Sequence, residues 1–108
     1  MSTRSQIGYT KDNTFYSVYC HYDGYPLYML RTLKNNFNKF DDVHDLVSKG
    51  SIQYIDQDGV IEYFDDECII SESYSLSGVV NTAHQNCGEY VYIFDNSIAQ
   101  WQCTKLEH

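Results

Sequence analysis

Alternation of apolar and polar positions dominates the first 22 residues. Arg4 to Tyr9, the polar run Lys11-Asp12-Asn13-Thr14, and Phe15 to Tyr22 predict a β-hairpin, because β-branched and aromatic residues favour a half-buried pleated strand. On the second strand Tyr16, Val18, Cys20 and Tyr22 share one face, and Phe15, Ser17, Tyr19 and His21 the other. Asp23-Gly24 supplies turn chemistry, with Gly24 free to take a positive φ, and Pro26 opens a helix.

The period then changes from two to about 3.6. A helix over about 26–37 carries Leu27, Leu30 and Leu33 as a core stripe, with Met29 and Phe37 beside it. A second, over about 39–49, has Asn38 as its cap, Asp41 and Asp42 at its positive end, and Gly50 at the left-handed C-terminal position. Two short strands, Ser51 to Ile55 and Val60 to Phe64, flank the turn Asp56-Gln57-Asp58-Gly59. That turn lacks the longer oxygen-ligand series of a helix-flanked calcium loop. Cys68 to Ile70 extends the sheet, and 71–88 reads as a loop with a helical turn around Val79 to His84. A closing hairpin runs from Glu89 to Phe94 and from Ile98 to Thr104, with either face of its first strand suited to burial and Trp101 as a core anchor.

These elements predict one α+β domain over residues 1–105: an antiparallel sheet built from hairpins, with both helices packed on one face. Leu106-Glu107-His108 reads as the start of a vector-derived affinity tag. With no basic-apolar leader and no span-length apolar run, the expected setting is the cytosol. Cys20, Cys68, Cys87 and Cys103 are then expected to be reduced, buried and inert. His84 and Cys87 are three apart, but the paired knuckles of a zinc site are missing, so no metal or other cofactor is expected.

The formal charge of −8 is uneven. From Gly50 to Thr104 the chain has Asp56, Asp58, Glu62, Asp65, Asp66, Glu67, Glu72, Glu89 and Asp95, and no Lys or Arg. Such a half repels phosphate backbones and attracts basic partners, although it also serves simply as a solvated surface. Eleven tyrosines in so small a chain suit an interface, where tyrosine offers area at low entropic cost.

Candidate chemistry gathers around Tyr19-Cys20-His21-Tyr22-Asp23-Gly24-Tyr25-Pro26. Cys20 and His21 point apart, which argues against a thiolate–imidazolium pair. His21 with Asp23 would give a carboxylate-oriented imidazole, and Arg4, Tyr19 and Tyr25 complete a candidate ligand- or partner-binding set. No catalytic residue is assigned. His44, among Asp41 and Asp45, reads as a solvated imidazole.

The opening Thr3-Arg4-Ser5-Gln6-Ile7-Gly8, the Val18 to Pro26 run, and Asp45-Leu46-Val47-Ser48-Lys49-Gly50-Ser51-Ile52 resemble a family of small uncharacterised phage and prophage proteins. That family carries a T-R-S-x-I-G start, a Y-C-H-W-D-G-Y motif and a closing aromatic hairpin; here Tyr22 replaces the tryptophan. The resemblance implies a viral or mobile-element origin and no established activity. The expectation is therefore a non-enzymatic module that binds a host or phage protein, with basic partners favoured and neither nucleic acid nor membrane bound directly. The alternatives are a DNA mimic, a small-ligand or nucleotide binder, and a small enzyme using His21 and Asp23.

Overall fold

The first reversal of the chain takes two residues. In a computed structural model describing residues 3–64 and 69–107, β1 (Ser5–Lys11) and β2 (Thr14–Cys20) pair antiparallel with Lys11 opposite Thr14. Asp12 and Asn13 form the turn with φ of 52° and 65°. This doubly left-handed geometry matches the twist of the strands and is tolerated by Asp and Asn.

After β2 the chain makes two helices, α1 (Pro26–Asn36) and α2 (Phe40–Ser48). Tyr25, held extended before Pro26, marks the start of α1. Gly50, at φ 84°, takes the left-handed position after α2, and its N–H bonds to the Val47 carbonyl. The cap of α2 is Lys39 rather than Asn38, and it makes no side-chain capping bond. Met29, Leu33 and Phe37 form the buried stripe of α1, and Val43, Leu46 and Val47 that of α2. Leu27 is 74% exposed, against the expectation that it is core. At two residues from Met29 it lies almost opposite that stripe on the helix.

β3 (Ile52–Ile55) and β4 (Ile61–Tyr63) enclose the expected turn, with Gly59 at φ 84°. The Asp56 carboxylate accepts the Asp58 and Val60 N–H groups, both at 2.9 Å, and so is spent on holding the turn. β6 (Tyr90–Asp95) and β7 (Gln100–Lys105) form the closing hairpin.

Two features overturn the expected architecture of two helices on one face of an antiparallel sheet. The first is that the sheet is mixed. Its order is β4-β3-β2-β1-β6-β7, with β5 (Ser71–Ser73) also paired to β2. The hairpins are antiparallel, but β2 meets β3 and β1 meets β6 in parallel. The α1–α2 segment is a crossover, which returns the chain in the direction it left.

The second is α3 (Leu76–Gln85), a full helix where only a helical turn around Val79 to His84 was expected within a loop, packed on the opposite face. Ser75 caps it by accepting the Gly78 N–H at 3.2 Å. At its end Gly88 N–H bonds to Ala83 O and Cys87 N–H to His84 O, a paired closure with Cys87 in the left-handed position at φ 61°. Gly78 made the segment look irregular. A Cβ there would lie 2.1 Å from Ser73 Oγ, so close packing on β5 explains the glycine.

Helices on both faces bury both sides of the central strands. Tyr92 and Phe94 pack with α1 and α2, while Val91 and Ile93 pack with Val79 and Ala83 of α3. Trp101 is buried, and its Nε1–H donates to the Phe37 carbonyl at 2.8 Å, pinning β7 to the end of α1. Leu106, set aside with Glu107 and His108 in reading the sequence, is buried against the α3 cluster, with its N–H bonded to Glu89 O. Cys68 lies outside the described residues; Ile69 and Ile70 are exposed and precede β5 rather than forming a strand. No described helix is long and apolar enough to cross a membrane.

Candidate interaction surface

The outer edge of β2 is shared between two partners. Phe15 to Ser17 pair with β5, and from Cys20 onward the edge passes to β3, with His21 N–H bonded to Ile52 O at 3.0 Å and Tyr22 N–H to Gln53 O at 2.9 Å. α3 packs over β1, β2, β5 and β6. Tyr19 and His21 are on its side of the sheet by strand alternation, toward β3 and β4. They remain half-buried there.

The Tyr19 hydroxyl and His21 Nδ1 are 2.5 Å apart. Burial raises the Tyr19 pKa, the nearby Arg4 charge opposing it, so the phenol keeps its proton. Phe64 stacks on Tyr19, with centroids 6.4 Å apart, and meets His21 edge-on at 6.0 Å. Tyr22 also packs edge-on against His21, at 4.5 Å. Across β3–β4, Tyr54 pairs with Glu62, and alternation puts Glu62 on the Phe64 side. A continuous aromatic surface with a carboxylate at its border results.

Of the five residues singled out in the sequence, Tyr19 and His21 are joined directly, and Arg4 is half-buried within electrostatic reach of Tyr19. Asp23 and Tyr25 lie elsewhere. Asp23 is exposed in a left-handed conformation at φ 58°, and among the described residues no hydrogen bond or ion pair joins it to His21. This turn carries the chain toward α1, where the Tyr25 ring lies 6.1 Å from that of Tyr28.

Tyr22 does not follow Val18 and Cys20, its expected face-mates, into the core: β2 ends at Cys20, and Tyr22 is 45% exposed. Gly24 does not take the positive φ; Asp23 does. Gly24 is needed for space, since a Cβ would come within 2.8 Å of Ser5 Oγ and Thr3 O. Its carbonyl accepts the Tyr92 hydroxyl at 2.6 Å, fastening the turn to β6.

Phe64, Tyr54 and Glu62 were missed in the sequence. The signal was the alternation Ile61-Glu62-Tyr63-Phe64, which sets Glu62 and Phe64 on the face away from Ile61 and Tyr63.

The thiols are not the uniformly buried set expected. Cys20 is, and burial pushes its pKa up to about 12, whereas Cys87 and Cys103 are exposed. Among the described residues no three His, Cys, Asp or Glu side chains converge to hold a metal. An open cleft of about 610 Å³ lies between α2 and the β3–β4 hairpin; within it Tyr63 donates to Leu46 O, and Lys49 lies over the Tyr63 ring. Under α3, the buried Gln6 is matched to Ser17 and Asn86, a satisfied structural network.

No protein-family model, curated protein or solved structure matches the chain.

Proposed function

We propose that this is a non-enzymatic binding module of phage or prophage type, acting in the cytosol of its bacterial host, that takes a basic host or phage protein on the Tyr19-His21-Tyr22-Phe64 surface. One observation carries the reading: Tyr19, His21 and Phe64 are in mutual ring contact on the sheet face toward β3 and β4, and Tyr22 packs edge-on against His21. Preassembled rings present contact area with little side-chain entropy left to lose. The absence of Lys and Arg from Gly50 to Thr104, with Glu62 at the border, favours a partner that inserts cationic side chains among the rings. The Tyr19–His21 pair adds one directional hydrogen-bonding edge.

The test is affinity capture from bacterial lysate, comparing the native chain with Tyr19→Ala and Phe64→Ala, and with Leu27→Asp as a control on the far helix face. A specific protein retained by the native chain and the control, and lost from both surface variants, supports the reading. Capture indifferent to the surface variants, or co-purification of a stoichiometric small molecule in place of a protein, overturns it.

A further inference from the structure

The three outer edges of the sheet differ in charge and length. β4 is three residues long with Glu62 at its centre, and β5 is three residues long with Glu72 at its centre. Such short, acidic edges discourage pairing with another copy of a chain whose net charge is −8. β7 is six residues long, Gln-Trp-Gln-Cys-Thr-Lys, and has no carboxylate. It ends the sheet with β6 as its one strand neighbour among the described residues.

The hydrogen-bond phase of β7 follows from its last contact. Leu106 N–H points to Glu89 O, so Leu106 faces β6 with its backbone groups. In an antiparallel ladder inward- and outward-facing residues alternate. Thr104, Gln102 and Gln100 therefore spend their backbone groups on β6. Trp101, Cys103 and Lys105 direct their N–H and C=O groups outward.

We propose that this edge pairs antiparallel with β7 of a second copy, about a two-fold axis perpendicular to the sheet and centred on Cys103. A perpendicular axis keeps each face of the sheet on its own side, so only residues of like parity can be opposed. Centring on Cys103 sets Cys103 against Cys103 and Trp101 against Lys105. Every outward N–H and C=O of the three residues then finds a partner. Centring on Gln102 instead sets Lys105 against Ala99, a turn residue at φ 52°, and leaves those groups unmatched. The Cys103 register also sets Lys105 beside the Trp101 side chain of the other copy, with no like charge directly opposite. This surface is separate from the aromatic one and does not depend on its reading.

The test uses the intact chain. Sedimentation from micromolar to millimolar concentration should show a reversible dimer, and the Trp101, Cys103 and Lys105 amides should gain protection from hydrogen exchange as the dimer forms. A short bis-maleimide should link Cys103 to Cys103, identified by peptide mapping in a chain with Cys68→Ser and Cys87→Ser, the latter removing the other exposed thiol among the described residues. Cys103→Pro deletes an outward donor without touching the β6 ladder, and should weaken dimerisation about tenfold or more. A chain that stays monomeric at millimolar concentration leaves the edge to a foreign strand and overturns the proposal. So does a dimer in which those three amides exchange freely. If Cys103→Pro does not fold, the exchange and cross-linking of the native chain decide.

Discussion

Replacing Tyr92 with Phe removes one oxygen from the middle of the molecule. Tyr92 is fully buried, and its hydroxyl donates to the Gly24 carbonyl at 2.6 Å, joining β6 to the turn that follows β2. Burial, reinforced by Cys103, pushes its pKa far up, so the group is a protonated donor throughout the working range. Phenylalanine keeps the ring and its apolar contacts. The loss therefore falls on the Gly24 carbonyl, left without its donor in a buried turn where Ser5 and Thr3 already crowd the glycine. An unsatisfied buried acceptor costs about 1–3 kcal/mol. At about 4 °C per kcal/mol for a domain of this size, Tm should fall by roughly 4–12 °C. Urea unfolding followed by Trp101 fluorescence measures the change, with the m-value reporting whether the transition stays comparable. Tyr28→Phe is the companion: its half-buried hydroxyl donates to Ile55 O at 2.7 Å, and water can replace it, so its cost should stay under about 1 kcal/mol. Tyr92→Phe within about 0.5 kcal/mol of the native chain at unchanged m would refute the claim that this bond secures the turn.

On α1, Leu33→Ala should cost about 2–5 kcal/mol and Leu27→Ala less than about 0.5, as read by the same unfolding assay; equal costs would contradict the stripe centred on Met29 and Leu33. Cys87→Gly should raise stability by about 1 kcal/mol, because φ 61° strains any side chain there; a loss in chemical denaturation would mean that the cysteine side chain contributes packing. Alkaline pH should destabilise the fold: burial raises the Cys20 thiol from 9.0 to about 12 and the Tyr63 phenol from 10.0 to about 12. The unfolded chain releases both protons first, so stability is complete below about pH 9 and falls as pH rises toward about 12. Urea titrations across that range check the sign, and a flat profile would be inconsistent with burial of the two groups.

Local chemistry was readable in the sequence wherever neighbours along the chain decide the outcome. The Asp12-Asn13 turn, the Pro26 start, the left-handed Gly50 and the closing hairpin all depend on residues a few positions apart. So does the placing of Tyr19, on β2, beside His21, just beyond its end, the part of the candidate surface visible in advance. Which hairpins lie side by side, and in which direction, depends on contacts between distant segments. β1 pairing with β6 joins Ser5 to Tyr90 and Tyr9 to Phe94, a match that no local pattern encodes. For the same reason the sequence left open which face of β6 is buried, and the fold buries both. Only a turn of α3 was legible because Gly78 and the surrounding serines have weak intrinsic helix preference, and packing of Val79 and Ala83 on the sheet extends it to a full helix. Phe64 reached Tyr19 and His21 only once the β3–β4 hairpin docked against the end of β2. Propensity acts over a few residues, whereas burial is decided by whatever surface the rest of the chain brings, and so the turns were legible while the assembled surface was not.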